Sequence, residues 1–502
     1  MNKEITKIRK KIDCLDKKLM SNLNKRFYLS KQIKKYKVKH ALPTFDKERE
    51  QLILDKSNDY VTHEAIKATY KTILTESKRL QAKYLLIGGN LSCSFSDYIH
   101  EMFNNKGYIK KEYKDPIQLI NEINNTGLNI TNPYKKEFFN YCQNISEIAK
   151  ATDVINVVTR KDNILYGDNL DVQSFINMIN YYKIPIENSD IIILGNGATS
   201  RSVEYALKSL NARSIVKIVR TRKDISEIEY SSMPFNLKAD IIINTTSHDV
   251  YPNFSDEALI DFNKILNVKY FIDVNYNPMR SKLYLDAERI GIKCYNGLLM
   301  LIENARLSES LWQSYEYDFS YSLEIIRRLI NNQSNIILIG QTLAGKTTIG
   351  KDLAFFLQKD YIDLDQEIEK SIKLVINEDY NNLEEFRQEE TNQCMKKSLL
   401  TNKVITLGAG AILNEKNIEW LKRNGIVIFL NHKLSTLVDR LENNVRPLIK
   451  SIDDLKKMYD QRQPMYIKNC DIIIENIENL STIEITKLIM EKIYEYNDNK
   501  WL

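Results

Sequence analysis

Apolar residues recur at spacings of three and four along the first forty positions of the chain. The series is Ile5, Ile8, Ile12, Leu15, Leu19, Leu23 and Phe27. This period predicts one long amphipathic helix that runs to about residue 39 and stops before Pro43. At about 1.5 Å per residue such a helix spans roughly 50 Å, too long for an 80-residue segment to cover alone. The stripe therefore predicts a homodimer through the N-terminal helices.

Two shorter helices are expected near 46–56 and 62–83, after which the pattern changes. Short continuous apolar runs such as "YLLIGG", "DIIILG" and "IILIG" then alternate with helical stretches such as "VEYALKSL". Such runs indicate buried strands of parallel sheets. A chain of this length also suggests about three domains. We predict an all-α segment at 1–82, a two-lobed α/β segment at 83–325 with a Rossmann lobe at about 186–300, and a P-loop α/β segment at 330–502.

Composition and charge restrict the cellular compartment and the classes of binding partner that we expect. The chain has 502 residues, no run of about 18 apolar positions and no secretory signal at its start. Its six cysteines are scattered, which favours reduced thiols in the cytoplasm, and we expect no membrane partner. Residues 1–40 hold fourteen Lys or Arg against three acids. This excess favours an anionic partner, and by charge alone nucleic acid, a membrane surface and a small polyanion all fit.

A first glycine turn follows the apolar run "DIIIL" and opens a helix, as a dinucleotide-binding turn requires. Its residues are Gly195, Gly197, Ala198, Thr199 and Ser200. The next strand, "SIVKIV", ends in Arg220 and Thr221 with no acid to take a ribose 2′-hydroxyl. An arginine at that place favours a 2′-phosphate and therefore NADP.

A second glycine loop, "GQTLAGKTT", lies between a predicted strand and a predicted helix. Gly340 and Gly345 let backbone N–H groups surround phosphate oxygens, and Lys346 reaches the outer phosphates. Thr347 is positioned for Mg²⁺, and Thr348 is the next residue of this phosphate-binding loop. The loop alone fits a GTPase, an ATPase, a transporter subunit or a small-molecule kinase.

The polar residues of the N-terminal segment have a distinctive order. They are Arg9, Arg26, Lys37, Asp46, Arg49, Glu50, Ser77 and Gln81. In this order the segment resembles the all-helical chorismate mutase family. The resemblance implies an intertwined dimer in which arginines grip the two carboxylates of chorismate, Arg9 reaching into the partner's site. It also implies that Lys37, Glu50 and Gln81 stabilise charge on the breaking ether oxygen. A nucleic-acid role gives the later polar residues no purpose.

The middle segment resembles shikimate dehydrogenase through paired serines, the run "GLNITNPYK" and later elements such as "NTTS". The resemblance makes Lys135 and Asp171 the catalytic pair that serves reduction of 3-dehydroshikimate by NADPH. It places the substrate among Ser94, Ser96, Thr131, Asn156 and Asn304.

This middle segment departs from the family pattern at several positions. Cys93 replaces a histidine, Asp97 a proline and Val219 an asparagine, and Asn304 stands for a glutamine one methylene longer. The usual Gly-Met is replaced around His248-Asp249-Val250. An impaired dehydrogenase, or one altered in substrate, is therefore an alternative.

The last segment resembles shikimate kinase across its whole length. The residues that carry this resemblance beyond the P-loop are Asp363, Asp365, Arg387, Gly408, Gly410, Arg446 and Arg462. The resemblance implies that Asp365 takes the substrate hydroxyl and that Asp363 joins Thr347 near Mg²⁺. It also implies that Arg387 and Arg462 hold the shikimate carboxylate while Arg446 lies on a lid. Ala409 departs from the family's middle glycine.

Together the three segments predict one enzyme with three activities in aromatic amino acid biosynthesis. Its cofactors and co-substrates would be NADP, ATP and Mg²⁺, and its partners small molecules rather than nucleic acid. The alternative from another class is a regulatory or nucleic-acid-binding P-loop protein with a basic helical arm.

Overall fold

The computed structural model describes most of the chain. The described residues are 3–39, 68–70, 72–74, 77, 84–92, 94–105, 107–112, 127–161, 164–313, 315–372, 383–442 and 451–502. The chain divides into two compact units. The first contains Met1–Met178, Arg201–Ala206 and Glu303–Asp318, and the second contains Ile179–Ser200, Leu207–Ile302 and Phe319–Leu502.

A single long helix, α1 (Lys3–Lys39), begins the first unit and confirms the prediction from the apolar stripe. Its apolar residues lie on the surface of the single chain: Ile8 is 57% exposed and Leu15 is 62% exposed. Residues 68–70, 72–74 and 77 are helical, as the second shorter helix predicts. The helix predicted at 46–56 lies outside the described residues.

The rest of the first unit is built on a mixed six-stranded sheet. Its strands are β1 (Tyr84–Gly88), β2 (Tyr108–Glu112), β3 (Gly127–Ile130), β4 (Asn144–Ile145), β5 (Val157–Lys161) and β6 (Ile164–Asp168). Their order is β2-β1-β3-β5-β6-β4. β1 pairs in parallel with β2 and β3, whereas β5 runs antiparallel to β3 and β6.

The helices that accompany this sheet are α2 (Ser96–Met102), α3 (Glu147–Thr152) and α4 (Asp171–Tyr182), together with Leu298–Gln313, which comes later in the chain. All of them except α3 carry a side chain of a candidate site.

The second unit contains a parallel sheet that confirms the predicted Rossmann lobe. Its strands are β7 (Asp190–Leu194), β8 (Ser214–Val219), β9 (Ile228–Glu229), β11 (Ile241–Asn244), β13 (Tyr270–Asp273) and β14 (Lys293–Asn296). The short pair β10 (Leu237–Lys238) and β12 (Ile265–Leu266) lies beside it. The strand order β14-β13-β11-β7-β8-β9 reverses direction between β7 and β11. Such a reversal opens a crevice at the carboxyl ends of the two strands, where ligands bind in sheets of this kind.

Three further helices are α5 (Ala198–Ser209), α6 (Lys282–Arg289) and α7 (Leu298–Gln313), the last already noted with the first unit. Residues 201–206 of α5 and 303–313 of α7 belong to the first unit. Helix α5 follows the first glycine turn directly, as predicted.

A second parallel sheet in the same unit confirms the predicted P-loop fold. Its strands are β15 (Asn335–Ile339), β16 (Asp360–Asp363), β17 (Lys403–Thr406), β18 (Gly425–Leu430) and β19 (Ile472–Ile474), in the order β16-β17-β15-β18-β19. Its helices are α8 (Phe319–Gln333), α9 (Lys346–Leu357), α10 (Leu364–Ile372), α11 (Leu383–Ser398), α12 (Glu415–Lys422), α13 (Leu434–Glu442), α14 (Ile452–Asn469) and α15 (Thr482–Trp501).

Both faces of this sheet are buried, which explains why β15 is a continuous apolar run. Ile336 and Leu338 face one hydrophobic cluster, whereas Ile337 and Ile339 face another. Alternate side chains of a strand point to opposite faces, so helices on both sides bury every position. No helix among the described residues is long and apolar enough to cross a bilayer.

Candidate active sites

A buried ion pair is the centre of the candidate site in the first unit. Nζ of Lys135 donates to Oδ2 of Asp171 over 2.6 Å, and each side chain is 10% exposed. Lys135 lies on the turn after β3, and Asp171 is the first residue of helix α4. A buried carboxylate that accepts a charge-assisted hydrogen bond holds the amine in one place.

Two asparagines hold the other carboxylate oxygen of this pair. Nδ2 of Asn156 donates to Oδ1 of Asp171 over 2.7 Å, and Nδ2 of Asn304 donates to the same atom over 2.9 Å. Oδ1 of Asn156 accepts from the Leu170 N–H, which sets the orientation of its amide. Asn304 was predicted to contact substrate, and in the structure its amide donates to the acid of the Lys135–Asp171 pair.

The paired serines lie on the segment that follows β1. Oγ of Ser94 donates to Oγ of Ser96 over 3.0 Å, and Ser96 is buried. Thr131 packs against Gly88 at the end of β1, where a Cβ atom would collide with its methyl group. β1 and β3 are parallel neighbours, so their carboxyl ends bring the serine segment and the Lys135 turn to one edge of the sheet.

The first glycine turn has the geometry of a phosphate-binding loop. Gly195 has a φ of +104°, which disfavours any residue with a Cβ. Its carbonyl accepts from Oγ of Ser200 over 2.8 Å, which ties the turn to the first residues of α5. A Cβ on Gly197 would meet no described atom within 4 Å, so a ligand has room to approach the backbone. The N-terminus of α5 lies at this place and favours an anion.

The segment after β8 lies beside this turn and is rich in cations. Arg220 and Thr221 are exposed, and Nδ2 of Asn196 donates to the Thr221 carbonyl over 3.3 Å. Buried Glu227 also accepts from Asn196, and it accepts from the Lys223 N–H. The sequence prediction missed this acid because it lies eight positions beyond the end of β8. Its carboxylate is engaged with the loop itself, and the exposed cations suit a 2′-phosphate.

The P-loop in the second unit joins β15 to α9. Nζ of Lys346 donates to the carbonyls of Gly340 and Gln341 over 2.9 and 3.0 Å, so the cation lies over the loop. Gly345 has a φ of +82°, which suits glycine, and Thr348 is exposed at the start of α9.

A hydroxyl and a carboxylate meet beside the P-loop. Oγ1 of Thr347 is 3.4 Å from Oδ2 of Asp363, and Asp363 ends β16. Asp365 belongs to the following helix, α10, so the two aspartates lie together at the carboxyl end of β16. Oxygen donors of this kind suit Mg²⁺, which retains waters and phosphate ligands.

Asp365 is the candidate base of the kinase site. A Cβ atom at Gly408 would collide with its carboxylate, so glycine is required for this approach. Oδ1 of Asp365 is buried and has no hydrogen-bond partner within the described part of the chain. Burial raises the pKa of Asp365 above its ordinary value, while Lys346 acts in the opposite direction.

Arg387 reaches the same edge of the sheet from helix α11. A Cβ atom at Gly410 would collide with its guanidinium. Nη1 of Arg387 donates to both carboxylate oxygens of Glu390 over 2.9 and 2.7 Å, and Glu390 is buried. Glu390 is missing from the sequence prediction, although its spacing of three from Arg387 on a helix was a usable signal.

Arg462 enters from helix α14 and is 7% exposed. Its Nη1 donates to the Ala409 carbonyl over 3.2 Å, and the hydroxyl of Tyr466 donates to the same oxygen over 2.7 Å. Nε of Arg462 is buried without a partner among the described residues. Buried polar atoms of native proteins are normally paired, so the unpaired Nε of Arg462 and the unpaired Oδ1 of Asp365 together indicate a place for a polar ligand.

Two further predicted residues contact each other in the N-terminal segment. The guanidinium of Arg26 donates to Oγ of Ser77, and its Nη1 is 3.5 Å from the Ile73 carbonyl. Arg9 is exposed on α1. The backbone of Lys37 lies in the same helix. Several predicted site residues lie outside the described residues: Asp46, Arg49, Glu50, Gln81 and the lid residue Arg446. The side chain of Lys37 also lies outside them.

The folds and sites define the class of protein. A Rossmann lobe follows a substrate lobe with a buried Lys–Asp pair, which is the arrangement of a nicotinamide-dependent oxidoreductase. The third segment is a P-loop kinase with an acid and two arginines beside the loop.

Comparisons with known proteins identify the three segments separately. The sequence profile described as "Chorismate mutase type II" matches residues 8–82, and the profile described as "Shikimate kinase" matches residues 343–494. A shikimate dehydrogenase (NADP(+)) of Clostridium botulinum is 33% identical over 245 residues, which cover 45% of this chain and 95% of the relative. A shikimate dehydrogenase (NADP(+)) of Clostridium perfringens is 29% identical over 263 residues, covering 49% and 97%.

One solved structure is described as a chorismate mutase/shikimate 5-dehydrogenase fusion protein from Clostridium acetobutylicum. It is 30% identical and covers 49% of this chain and 97% of its own, with a TM-score of 0.46.

The chain belongs to the shikimate dehydrogenase family. It is a fused enzyme in which a chorismate mutase domain precedes the dehydrogenase and a shikimate kinase domain follows it. These findings favour the three-activity prediction over both alternatives, the impaired dehydrogenase and the nucleic-acid-binding protein.

Proposed function

We propose that one chain rearranges chorismate to prephenate, reduces 3-dehydroshikimate to shikimate with NADPH, and phosphorylates shikimate with ATP. The observation that carries the dehydrogenase assignment is the convergence of Lys135, Asn156 and Asn304 on the carboxylate of Asp171. The middle reaction produces the substrate of the last one. The mutase reaction belongs to a later step of the same biosynthesis, because its substrate is chorismate.

In the dehydrogenase reaction, Lys135 supplies or stabilises the proton at the carbonyl oxygen of the substrate. NADPH supplies the hydride when it is bound at the Gly195 turn. Asp171 holds the amine of Lys135 within 2.6 Å and keeps it from rotating away, which is the positioning that general acid catalysis requires. Ser94, Ser96 and Thr131 are the proposed partners of the substrate's polar groups.

In the kinase reaction, Asp365 accepts the proton of the attacking hydroxyl, and its buried unpaired oxygen supports that role. Arg387 and Arg462 hold the substrate carboxylate, for which guanidinium groups have the right geometry. Glu390 fixes the orientation of Arg387 through two hydrogen bonds. Lys346 binds the outer phosphates of ATP, and Thr347 with Asp363 would hold Mg²⁺. The proposed role of Arg446 is closure over the phosphates.

In the mutase reaction, the site requires two copies of the chain. Arg9 precedes Arg26 by seventeen positions, which is about 26 Å along a helix, so both cannot serve one compact ligand in the same subunit. The exposed apolar residues of α1 support a homodimer in which Arg9 of each chain completes the other site. Arg26 and Ser77 would bind the carboxylates there, with Asp46 and Arg49. The proposed roles of Lys37, Glu50 and Gln81 are at the ether oxygen.

The proposed location is the cytoplasm. Five described cysteines are free thiols, and a reducing compartment preserves thiols in that form.

Three assays on the purified full-length chain test the proposal. They measure prephenate formation from chorismate, oxidation of NADPH or NADH by 3-dehydroshikimate, and shikimate-dependent release of ADP with and without Mg²⁺. One charge-assisted hydrogen bond to a 2′-phosphate contributes about 1.5–3 kcal/mol, so kcat/KM should be at least about tenfold higher with NADPH than with NADH. Absence of both the dehydrogenase and the kinase reactions would contradict the proposal.

A further inference from the structure

A buried ion pair connects the Rossmann lobe to the kinase domain inside the second unit. Nη1 of Arg423 donates to Oδ1 of Asp249 over 2.6 Å. Asp249 is 4% exposed and Arg423 is 0% exposed. Asp249 lies on the loop after β11, which we call the β11 loop (245–255), and Arg423 lies between helix α12 and strand β18 of the kinase domain.

Together the two residues hold positions 249 and 255 of the β11 loop to each other and to the kinase domain. The Ser255 N–H donates to Oδ1 of Asp249 over 2.6 Å, and Nη2 of Arg423 donates to the Ser255 carbonyl over 2.6 Å. The guanidinium also stacks on the ring of Trp420, 4.0 Å from its centroid. The hydrogen bonds are directional and the ion pair is buried, so they restrain the conformation of this part of the loop.

The β11 loop lies directly against the proposed NADP site. β7 and β11 are neighbours at the point where the strand order reverses, and the Gly195 turn follows β7. Oγ1 of Thr245 donates to the Leu194 carbonyl over 2.7 Å. A Cβ at Gly195 would lie 3.1 Å from Oγ1 of Thr245 and 3.1 Å from the methyl group of Thr246. A shift of the β11 loop therefore changes the wall of the cofactor crevice.

The position of Asp249 is also where the sequence departs from the family pattern, which has Gly-Met in this stretch. The backbone N–H groups of Ser255 and Lys282 donate to the Asp249 carboxylate over 2.6 Å each, and a nearby cation stabilises its buried charge further. The cation comes from the kinase domain, 174 positions further along the chain.

We propose that Arg423 of the kinase domain is a positioning residue for the dehydrogenase reaction, acting through Asp249 on the β11 loop. The inference rests on the proposed function, because it takes the Gly195 turn as the site of NADPH. It means that the kinase domain is a structural component of the dehydrogenase cofactor site.

A second buried pair keeps the two domains docked when Arg423 is changed. Nη1 and Nη2 of Arg280 donate to the two carboxylate oxygens of Asp471 over 2.8 and 2.9 Å, and Nε of Arg280 donates to the Lys422 carbonyl over 2.9 Å. None of the hydrogen bonds or ion pairs of Arg280 and Asp471 described in the structure involves the β11 loop. A substitution at Arg423 should therefore disturb the loop more than the docking.

The test is Arg423→Met in the full-length chain. We expect the KM for NADPH to rise about tenfold or more, because truncating one partner of a buried hydrogen-bonded charge pair leaves the other charge unpaired. The dehydrogenase kcat at saturating NADPH and the kinase kcat should stay within about twofold, since neither set of reacting groups contacts Arg423. The double variant Asp249→Asn with Arg423→Gln removes both charges and should recover most of the NADPH affinity.

The matched control is Arg289→Gln, which breaks a half-exposed pair with Glu419 between the same two domains. Nη2 of Arg289 is 2.9 Å from Oε2 of Glu419. This variant should leave the KM for NADPH unchanged. The inference is overturned if Arg423→Met leaves that KM unchanged, or if Arg289→Gln raises it equally. A parallel fall of dehydrogenase and kinase kcat in Arg423→Met would also overturn it.

Two further outcomes each call for a separate measurement: a variant that does not fold, and a wild-type chain without dehydrogenase activity. If Arg423→Met does not fold, Asp249→Asn makes the same comparison from the dehydrogenase side. If the wild-type chain does not reduce 3-dehydroshikimate, the proposed function fails for that domain. The Kd for NADPH, measured by cofactor fluorescence in the wild type and in Asp249→Asn, then decides the inference separately. Equal Kd values, or no binding by either protein, would overturn it.

Discussion

Replacing Lys135 by methionine removes the amine from the proposed dehydrogenase site and leaves a side chain of similar length. The amine lies 2.6 Å from Asp171, and the same carboxylate keeps its hydrogen bonds from Asn156 and Asn304. Loss of a general acid lowers kcat by about 10²–10⁴, equivalent to about 3–5 kcal/mol in activation free energy. Because the two amides still hold Asp171, the KM for 3-dehydroshikimate should change by less than about threefold.

Cofactor oxidation at saturating NADPH measures this effect, and the kinase rate of the same preparation serves as an internal standard for folded protein. Lys136→Met is the matched control, since Lys136 is the next residue, its side chain is 74% exposed and it pairs with Asp153 at the surface. The control should keep full activity, because exposed ion pairs contribute at most about 1 kcal/mol. Retention of more than about a tenth of wild-type kcat by Lys135→Met would refute the proposed role.

Three other predictions follow from the same contacts. Burial raises the pKa of Asp365, so this base becomes protonated at a pH above the ordinary aspartate pKa of about 3.9. The kinase rate should therefore fall as the pH drops through that higher value. A pH profile of kcat/KM that is flat down to about pH 4 would contradict this. Gly410→Ala should raise the KM for shikimate at least about tenfold with little change in the KM for ATP, because its methyl group would displace Arg387; equal effects on both substrates would argue against the assignment. Leu15→Glu should convert a homodimer to a monomer in sedimentation, because Leu15 is a 62% exposed member of the α1 stripe. The same variant should abolish mutase turnover while both other activities persist. An unchanged oligomer would exclude this stripe as the interface.

The amino-acid sequence by itself determined the local elements and the residues that carry most of the chemistry. The strands before both glycine loops, the helices after them and the long N-terminal helix were all predicted from spacing. This works because hydrophobic period and glycine placement act over a few residues. The pairing of Lys135 with Asp171 was also predicted, through the order of residues that the shikimate dehydrogenase family shares.

Tertiary structure alone decided which distant groups support those residues. The contact of Asn304 with Asp171 spans 133 positions, and the contact of Arg423 with Asp249 spans 174. In the sequence, Asn304 reads as a shortened glutamine and Asp249 as a departure from the family pattern. The structural role of each residue becomes clear only from its contact with another element: Asn304 with Asp171, and Asp249 with Arg423. A buried polar side chain is defined by partners that satisfy it, and no spacing rule predicts where in the chain those partners lie.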